Sequence, residues 1–196
     1  MSLIRIATLE HLYTAIRAFE GCPLKHGATQ AVLGDGNPAS GIVVVGEAPG
    51  SEEDASGKPF VGRSGKLLDK LMGEVGLNRG NVYITNTVFW RPPNNRPPTP
   101  AEVEACRPFV EKHLALLNPR LLILVGATAA KTVLRTKAPL GELRNVLHRV
   151  GNPYLAEPIP AIVTFHPAYL LRNPPATPTA QGDWLRISQH IKGISS

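Results

Sequence analysis

Four short apolar stretches divide the chain, each rich in Val, Ile or Leu. They are "GIVVV" (41–45), "NVYITNTVFW" (81–90), "LLILV" (121–125) and "AIVTF" (161–165). Continuous apolar runs bounded by glycine or proline are typical of strands that are buried on both faces of a parallel sheet. We therefore predict four strands of this kind.

Segments with helical periodicity lie between and around these runs. They are residues 8–19, 65–76, 99–117, 126–134 and 182–193. The third begins with Thr99, Pro100 and Glu102, a capping box with proline at the first helical position. Because strands and helices alternate, we predict an α/β fold, a three-layer α/β/α sandwich around a central, mainly parallel four-stranded sheet. We expect residues 1–196 to form a single domain.

Three polar residues stand at the ends of predicted strands. Glu47 follows the first strand, Asn86 lies late in the second, and His166 follows the fourth. In open α/β sheets, ligand sites collect at the carboxyl ends of the strands, so these residues should converge. The loop "GEAPGSEEDASGKPFVGRSG" (46–65) should lie beside them, with five glycines and a cluster of acids. By contrast, "GATAAK" (126–131) suits close packing of a strand against a helix.

Composition narrows the class of partner. The 196 residues are 43% hydrophobic, which excludes a disordered chain, and the formal net charge is +6 with a pI near 9.6. A basic excess favours a polyanionic partner, most simply nucleic acid. The acids of the loop 46–65 run against this overall charge and call for a local explanation.

Neither the N-terminus nor the most apolar later run predicts a targeting or membrane segment. "MSLIRIATLE" lacks the pattern of a signal peptide, and the apolar run 121–130 is too short to cross a bilayer. The two cysteines are expected to be reduced rather than paired. We expect a cytoplasmic, nucleoid-associated protein of bacterial type that does not bind membranes.

The residue types at the strand ends suit cleavage of an N-glycosidic bond. A carboxylate such as Glu47 can stabilise a sugar cation or orient water, and the amide of Asn86 can read a base edge. His166 can donate to a departing base that becomes anionic, while Phe60 offers a face for stacking. The electrostatics resemble those of sugar hydrolysis, although the pair of catalytic carboxylates need not be the same.

Other interpretations of the same residues remain open. Glu47 can equally cap a helix, Asn86 can belong to a turn, and His166 can be a buried histidine with satisfied hydrogen bonds. Phe60 can simply belong to the core. The segment "GEAPGSEED" (46–54) has no lysine paired with Ser or Thr as a phosphate-binding loop requires, and it places acids where phosphates would lie. Its single acidic cluster, with no second set of carboxylates elsewhere, makes a poor metal site.

Three long motifs carry a family resemblance. "GEAPGSEEDASGKPFVGRSGKLLDKLM", "VYITNTVFWRPPNNRPPTPAEVEACRPFV" and "HPAYLLRNP" resemble, in this order, the motifs of the family 4 uracil-DNA glycosylases. The similarity runs from about residue 19 to residue 174. The resemblance implies the same sandwich fold, and a glycosylase that excises uracil from DNA after flipping the base out of the duplex.

The resemblance also implies roles for individual residues. Glu47 and His166 would be catalytic, with Glu47 acting on the water or the sugar cation and His166 supporting charge on uracil O2. The uracil-binding residues would be Ala48, Glu53, Phe60 and Asn86, with Phe60 stacking on the base and Asn86 reading its edge. The DNA-binding residues would be Arg91, Arg96, Leu170, Leu171 and Arg172, in which one of the last three enters the duplex as a wedge.

In one respect the chain departs from the family. The resemblance implies a [4Fe–4S] cluster on four cysteines, but only Cys22 and Cys106 match, while Phe19 and Trp90 occupy the other two positions. Two thiolates cannot supply four ligands, so we expect no iron–sulfur cluster, no other cofactor and no metal. A zinc site formed by Cys22, His26, Cys106 and His113 is an alternative that the spacing permits.

We therefore predict a monofunctional uracil-DNA glycosylase that releases free uracil, leaves an abasic site and acts as a monomer. The alternative is a non-catalytic or covalently trapping uracil-DNA-binding protein on the same fold. The trapping branch of the family uses a histidine in a basic insert, whereas "RPPNNRPPTP" (91–100) contains neither. A nucleoside hydrolase is a third possibility, which would need no wedge and no basic surface.

Overall fold

In the computed structural model, which describes residues 2–194, one six-stranded sheet forms the centre of the molecule. The strands are β1 (Asp35–Gly36), β2 (Ile42–Gly46), β3 (Tyr83–Asn86), β4 (Leu121–Val125), β5 (His148–Val150) and β6 (Ile159–Thr164). Their order across the sheet is β1-β3-β2-β4-β6-β5. The pairs β3–β2, β2–β4 and β4–β6 are parallel, while β1 and β5 are antiparallel edge strands.

The four parallel strands are those that the apolar runs predict, so the fold class is confirmed. The predicted strand count of four was wrong for the sheet as a whole, because β1 and β5 add two edges. These strands have only two and three residues, which is too short for a periodic pattern. The second strand is also shorter than the run 81–90, since β3 ends at Asn86 and the next residues turn into the core.

Eight α-helices surround the sheet within residues 2–194. They are α1 (Leu9–Ala18), α2 (Ser51–Ser56), α3 (Arg63–Gly73), α4 (Pro100–Leu117), α5 (Ala127–Leu134), α6 (Leu140–Leu143), α7 (Pro167–Arg172) and α8 (Thr177–Ile194). Five of them match the predicted helices, and the capping box at the start of α4 forms as predicted between Thr99 and Glu102. The three short helices α2, α6 and α7 were not predicted. None of the helices in residues 2–194 is long and apolar enough to span a membrane.

Alternation along the strands divides the core into two layers. In β2, Val43 and Val45 pack on the side of α1, α4 and α5, whereas Ile42 and Val44 pack on the side of α3 and α8. Every residue of β2 and β4 is buried, as expected for strands that are covered on both faces. The predicted three-layer sandwich therefore forms, and the polar residues that follow the strands are left at its edge.

The strand order places a topological switch at the centre of the sheet. The chain passes from β2 to β3 on one side, and then returns to β4 and β6 on the other. A crevice therefore opens between the carboxyl ends of β2 and β4, the position where open α/β sheets bind their ligands.

Candidate active site

A pocket of about 680 Å³ opens at the carboxyl ends of the parallel strands. Seven of the residues singled out from the sequence line it, namely Glu47, Ala48, Glu53, Phe60, Arg96, His166 and Arg172. Because β2 and β6 are both parallel to β4, the residues that follow them emerge on the same edge of the sheet. Glu47 and His166 thus converge on the pocket as predicted, whereas Asn86 does not line it and lies behind Phe60, paired with Gly46 at the end of β3.

Glu47 is fixed at both its backbone and its side chain. Its carbonyl oxygen accepts hydrogen bonds from Thr87 Oγ1, at 2.8 Å, and from the backbone N–H of Val88, at 3.3 Å. Its carboxylate oxygen Oε2 accepts a hydrogen bond from the hydroxyl of Thr128, in the first turn of α5. The carboxylate therefore stands in the crevice between β2 and β4, held from the opposite side of the switch point.

Sequence reasoning missed Thr128 as part of this site. The segment "GATAAK" was interpreted as strand-to-helix packing, although Thr128 comes within three residues of the end of β4. Its position after a parallel strand was the available signal, because that is where site residues gather.

The second acid of the loop, Glu53, has a different setting. One of its oxygens, Oε1, accepts the backbone N–H groups of Val61 and Gly62, at 2.9 and 2.8 Å, and Oε2 accepts that of Gly50, at 3.0 Å. Glu53 therefore closes the loop around the pocket and satisfies backbone donors that would otherwise be buried without partners. Its predicted contact with uracil stays a prediction.

Asp54 performs a similar task on the outer side of the loop. Its carboxylate accepts the backbone N–H and the hydroxyl of Thr29, at 2.8 and 2.9 Å, and is only 5% exposed. Glu53 and Asp54 therefore both stabilise the loop 46–65 by accepting hydrogen bonds. This structural role accounts for two of the acids that are concentrated there.

Phe60 projects into the pocket from a strained backbone. Its φ is +56°, an uncommon value for a bulky residue, and strain of this kind gathers at functional sites. Close approach of its ring depends on Gly46, because a Cβ atom there would lie 2.3 Å from Cζ of Phe60 and 2.6 Å from Oδ1 of Asn86. A glycine at the end of β2 therefore allows an aromatic ring and an amide to meet.

Asn86 presents a buried amide without a partner for its oxygen. The residue is only 1% exposed, pairs in register with Gly46, and its Oδ1 has no hydrogen-bond partner within residues 2–194. A buried polar atom without a partner is costly, and its presence beside the pocket points to a ligand that supplies the missing bond.

The hydrogen bonding of His166 determines which ring nitrogen can donate. Nδ1 accepts the backbone N–H of Ala168 at 3.0 Å, so in the neutral ring the proton resides on Nε2. Burial lowers the pKa of His166 below its usual value, although the nearby Glu47 carboxylate opposes that shift. The imidazole is therefore neutral near pH 7 and offers Nε2–H as a donor.

Two neighbours shape the surroundings of this imidazole. The ring of Phe60 lies 5.7 Å from it, centroid to centroid, with the two planes inclined by 33°. Behind it, Gly126 has a φ of +94°, and a Cβ atom there would lie 2.7 Å from Cβ of His166. Gly126 therefore gives both the backbone conformation and the space that His166 needs.

Two adjacent leucines follow His166 in α7, and they differ in solvent exposure, which the sequence does not predict. Leu170 is 1% exposed and packs in the layer formed with α3 and α8, so its side chain is not presented to DNA. Leu171 is 39% exposed, and the adjacent Arg172 lines the pocket. Of the two leucines, Leu171 is thus the exposed one, and Tyr169 in the same helix is equally exposed.

The two predicted DNA-binding arginines of the second motif already have partners. Arg96 makes a double ion pair with the carboxylate of Glu102, at 2.7 and 2.8 Å. Arg91 donates to the side-chain oxygen of Asn95 at 2.7 Å, a neutral partner. Any phosphate contact of Arg96 must therefore compete with a carboxylate, whereas one of Arg91 need not.

The region that matches the cluster ligands of the family is densely packed. Sγ atoms of Cys22 and Cys106 lie 3.9 Å apart, close to van der Waals contact, in one apolar layer with Trp90. Phe19 packs on Phe109 with ring centroids 4.8 Å apart. Two cysteines supply only half of the four thiolate ligands, and Phe19 and Trp90 bring carbon side chains to the other two positions, so the residues present do not fit such a cluster.

The alternative zinc set is not assembled either. His113 lies in α4 with Nε2 3.2 Å from the hydroxyl of Tyr83, and it packs edge-on against Tyr13 and Tyr83. Within residues 2–194, no group of three or more His, Cys, Asp or Glu side chains could hold a metal ion.

Comparison with known proteins gives consistent matches. The sequence model of the Uracil DNA glycosylase superfamily matches residues 33–186. A Type-4 uracil-DNA glycosylase of Thermotoga maritima is 42% identical over 167 residues, covering 84% of each chain. Enzymes of the same name from Pyrobaculum aerophilum and Archaeoglobus fulgidus are 38% and 37% identical, over 85% and 93% of this chain and 86% and 92% of their own.

Proposed function

This chain belongs to the uracil-DNA glycosylase superfamily, and from that premise we propose that it hydrolyses the N-glycosidic bond of uracil in DNA. It is a DNA glycosylase of base excision repair, and its products are free uracil and an abasic site. The observation that carries the proposal is the convergence of Glu47 and His166 on one pocket, next to the unpartnered amide of Asn86.

Recognition of the base precedes bond cleavage. Uracil flipped out of the duplex stacks on Phe60, and its polar edge supplies the hydrogen bond that the buried amide of Asn86 lacks. A site built around a buried amide rejects bases that leave the amide unpaired, because binding such a base does not offset the free-energy cost of a buried polar group without a hydrogen bond.

Bond cleavage creates a negative charge on uracil and a positive charge on the sugar. His166 stabilises the first and Glu47 the second. The electron pair of the C1′–N1 bond passes to the uracil ring, and negative charge develops on O2, where Nε2–H of His166 donates a hydrogen bond. Positive charge develops on the sugar, where the Glu47 carboxylate stabilises it. Water then adds to C1′ and loses its proton toward Glu47, so that the sugar gains a hydroxyl.

Cleavage of the DNA strand is not part of the reaction. Lyase chemistry needs an amine that forms a Schiff base with the sugar, and no lysine is among the described residues that line the pocket. The enzyme is therefore monofunctional.

Contact with DNA comes from the rim of the pocket. Leu171 enters the space that the flipped nucleotide leaves, because an exposed apolar side chain can partly replace lost stacking. Arg172 and Arg91 then neutralise phosphates, which gives the net charge of +6 a use. The enzyme acts on chromosomal DNA, and it does so as a monomer. Light scattering of the purified protein, with and without DNA, tests the monomeric state.

No iron–sulfur cluster takes part. Contact between the Cys22 and Cys106 sulfurs, together with the burial of Trp90, supports this part of the proposal. Iron and acid-labile sulfide should be present at far less than one equivalent in protein that is purified without oxygen. Stoichiometric iron that disappears in Cys22→Ser would overturn it.

The direct test uses a labelled oligonucleotide with one uracil. After incubation, half of the sample is heated in alkali, and both halves are resolved on a denaturing gel. We expect cleavage only after alkali, and a loss of about 10²-fold or more in rate for Glu47→Gln and His166→Ala in folded protein. Uncut DNA with folded, bound wild-type protein would support a binding-only role, and a band that survives denaturation would support covalent trapping.

A further inference from the structure

Cys22 and Cys106 form a pair of buried thiols that the proposed glycosylase reaction does not use. Both are free and 0% exposed, and the thiol of Cys106 donates to the sulfur of Cys22 across 3.9 Å. Cys22 stands between α1 and a 3-10 helix, Pro23–Gly27, whereas Cys106 lies within α4. The two sulfurs therefore join segments that are 84 positions apart in the chain.

The two thiols differ in their readiness to ionise. Because the thiol of Cys106 donates to its sulfur, the pKa of Cys22 is lowered below its ordinary value. The same interaction, together with burial, raises the pKa of Cys106. Cys22 is therefore the more readily ionised thiol of the pair, and the thiolate is the reactive form.

We propose that Cys22 and Cys106 are an oxidation site at which a peroxide forms an intramolecular disulfide. The Cys22 thiolate attacks one oxygen of the peroxide, the O–O bond breaks, and Cys22 becomes a sulfenic acid as the other oxygen leaves as water. Cys106 then attacks that sulfur and releases a second water. Two thiols and one hydrogen peroxide thus give one disulfide and two waters, with sulfur oxidised and oxygen reduced.

The local structure permits the small movement that this bond requires. A disulfide needs sulfurs about 2 Å apart, so each must move by about 1 Å. Cys22 lies in the irregular stretch between the end of α1 at Ala18 and the 3-10 helix Pro23–Gly27, and such segments adjust more readily than the middle of an α-helix.

A route for the oxidant lies beside the same segment. Lys25, Ala28 and Trp90 line a cleft of about 570 Å³ that is distinct from the uracil pocket. Local opening of residues 19–28 into this cleft exposes Cys22 to solvent, after which the segment closes on Cys106.

Oxidation would bind the N-terminal segment to α4 and enclose the pocket loop 46–65 within the covalent ring. Constraining so long a stretch of the unfolded chain stabilises the fold. We expect the melting temperature of the oxidised protein to rise by roughly 5–10 °C, and to fall back when a dithiol reductant is added.

The test uses the intact folded protein with hydrogen peroxide and no DNA, so its outcome is independent of glycosylase activity. Alkylation under denaturing conditions counts free thiols, and we expect two per chain before oxidation and none afterwards. Mass spectrometry of unreduced peptides should then find the Cys22 peptide linked to the Cys106 peptide, with the loss of two hydrogens.

Cys22→Ser and Cys106→Ser are the matched controls, since each leaves one thiol without its partner. Neither should show the rise in melting temperature, and Cys106→Ser should accumulate the sulfenic acid at Cys22. Two persistent thiols in treated wild-type protein would overturn the proposal, as would a disulfide between two chains or oxidation that occurs only after unfolding. The wild-type thiol count decides the matter even if a serine variant does not fold.

Discussion

The hydroxyl of Thr128 donates a hydrogen bond to the carboxylate of Glu47, although 81 positions separate the two residues. Glu47 follows β2 and Thr128 lies just after β4, and these strands are parallel neighbours in the sheet. The bond therefore crosses the crevice at the topological switch point, where α/β sheets bind ligands. It holds the carboxylate by a contact that is local in space and remote in sequence.

We expect this bond to position Glu47 for catalysis. Thr128→Val removes the donor at nearly constant volume and should lower kcat by about 10-fold with little change in KM, because orientation of the carboxylate is lost. Thr128→Ser keeps the hydroxyl and should retain most of the activity. Single-turnover kinetics on uracil-containing DNA provide the measurement, and equal losses in both variants would argue for packing alone.

Replacing the amide of Asn86 should impair base selection. Asn86→Asp exchanges a donor for a second acceptor at a buried position, so kcat/KM for uracil should fall by about 10²-fold or more. The ratio of activity on uracil to that on cytosine should also fall, because an amino group pairs better with a carboxylate. Asn118→Asp, on the exposed end of α4, is the matched control. Intact selectivity in Asn86→Asp would remove its reading role.

A single methyl group at Gly46 should disrupt the pocket. The added Cβ would lie 2.3 Å from the ring of Phe60, so Gly46→Ala must displace that ring or the amide of Asn86. We expect uracil excision to slow by at least about 10-fold, a loss of about 1.4 kcal/mol in transition-state stabilisation. Gly73→Ala, where no atom lies within 4 Å of the new Cβ, should leave the rate unchanged. A fully active Gly46→Ala would contradict the proposed approach of ring and amide.

A buried ionic cluster below the site should contribute strongly to stability. Asp183 is 1% exposed and accepts two hydrogen bonds from Arg144 at 2.8 Å and one from Thr164 at 2.9 Å, and it also pairs with Arg186. Asp183→Asn leaves the buried Arg144 and the more exposed Arg186 without their counter-charge and should lower the free energy of unfolding by about 3–5 kcal/mol. Urea titration provides the measurement. The control is Glu104→Gln, which breaks an exposed ion pair with Arg107 and should change the free energy of unfolding by less than about 0.5 kcal/mol.

Stability should fall in mild acid because of one buried histidine. Burial lowers the pKa of His113 to about 3, whereas an unfolded histidine titrates near 6.5. Between these values the unfolded chain binds more protons than the native one, so the free energy of unfolding decreases as the pH falls below about 6.5, by up to about 1.4 kcal/mol per unit.

His113→Gln tests this origin, since glutamine can still meet the tyrosine hydroxyls but does not titrate. Denaturant midpoints measured from pH 7 to pH 4 should depend less on pH in this variant. His11→Gln, in an exposed position on α1, should behave as the wild type does. An unchanged pH dependence in His113→Gln would assign the acid sensitivity to other groups.

Several features of the fold could be read from the chain because they arise from local patterns. The apolar runs predicted all four parallel strands, and the capping box predicted the start of α4. Edge strands β1 and β5 escaped prediction, because two or three residues carry no periodicity and pair only where a neighbour is available.

The sequence predicted which residues lie near the candidate site better than it predicted their hydrogen bonds and packing contacts. Glu47 and His166 follow parallel strands, and the carboxyl ends of such strands lie at one edge of the sheet, so the sequence alone predicts that they are neighbours. Nothing in the sequence separated Leu170 from Leu171, since adjacent residues of a short helix differ only in the face that tertiary packing covers.

By itself, then, the sequence determined the fold class, the strand-end residues and the membership in a family, since each is written in local periodicity or in motifs. Tertiary structure decided which charges are already paired, as with Arg96 and Glu102, and which acids serve the backbone, as with Glu53. It also decided that Thr128 meets Glu47. The physical reason is that local patterns report burial, whereas hydrogen-bond partners depend on which distant segments the strand order brings together.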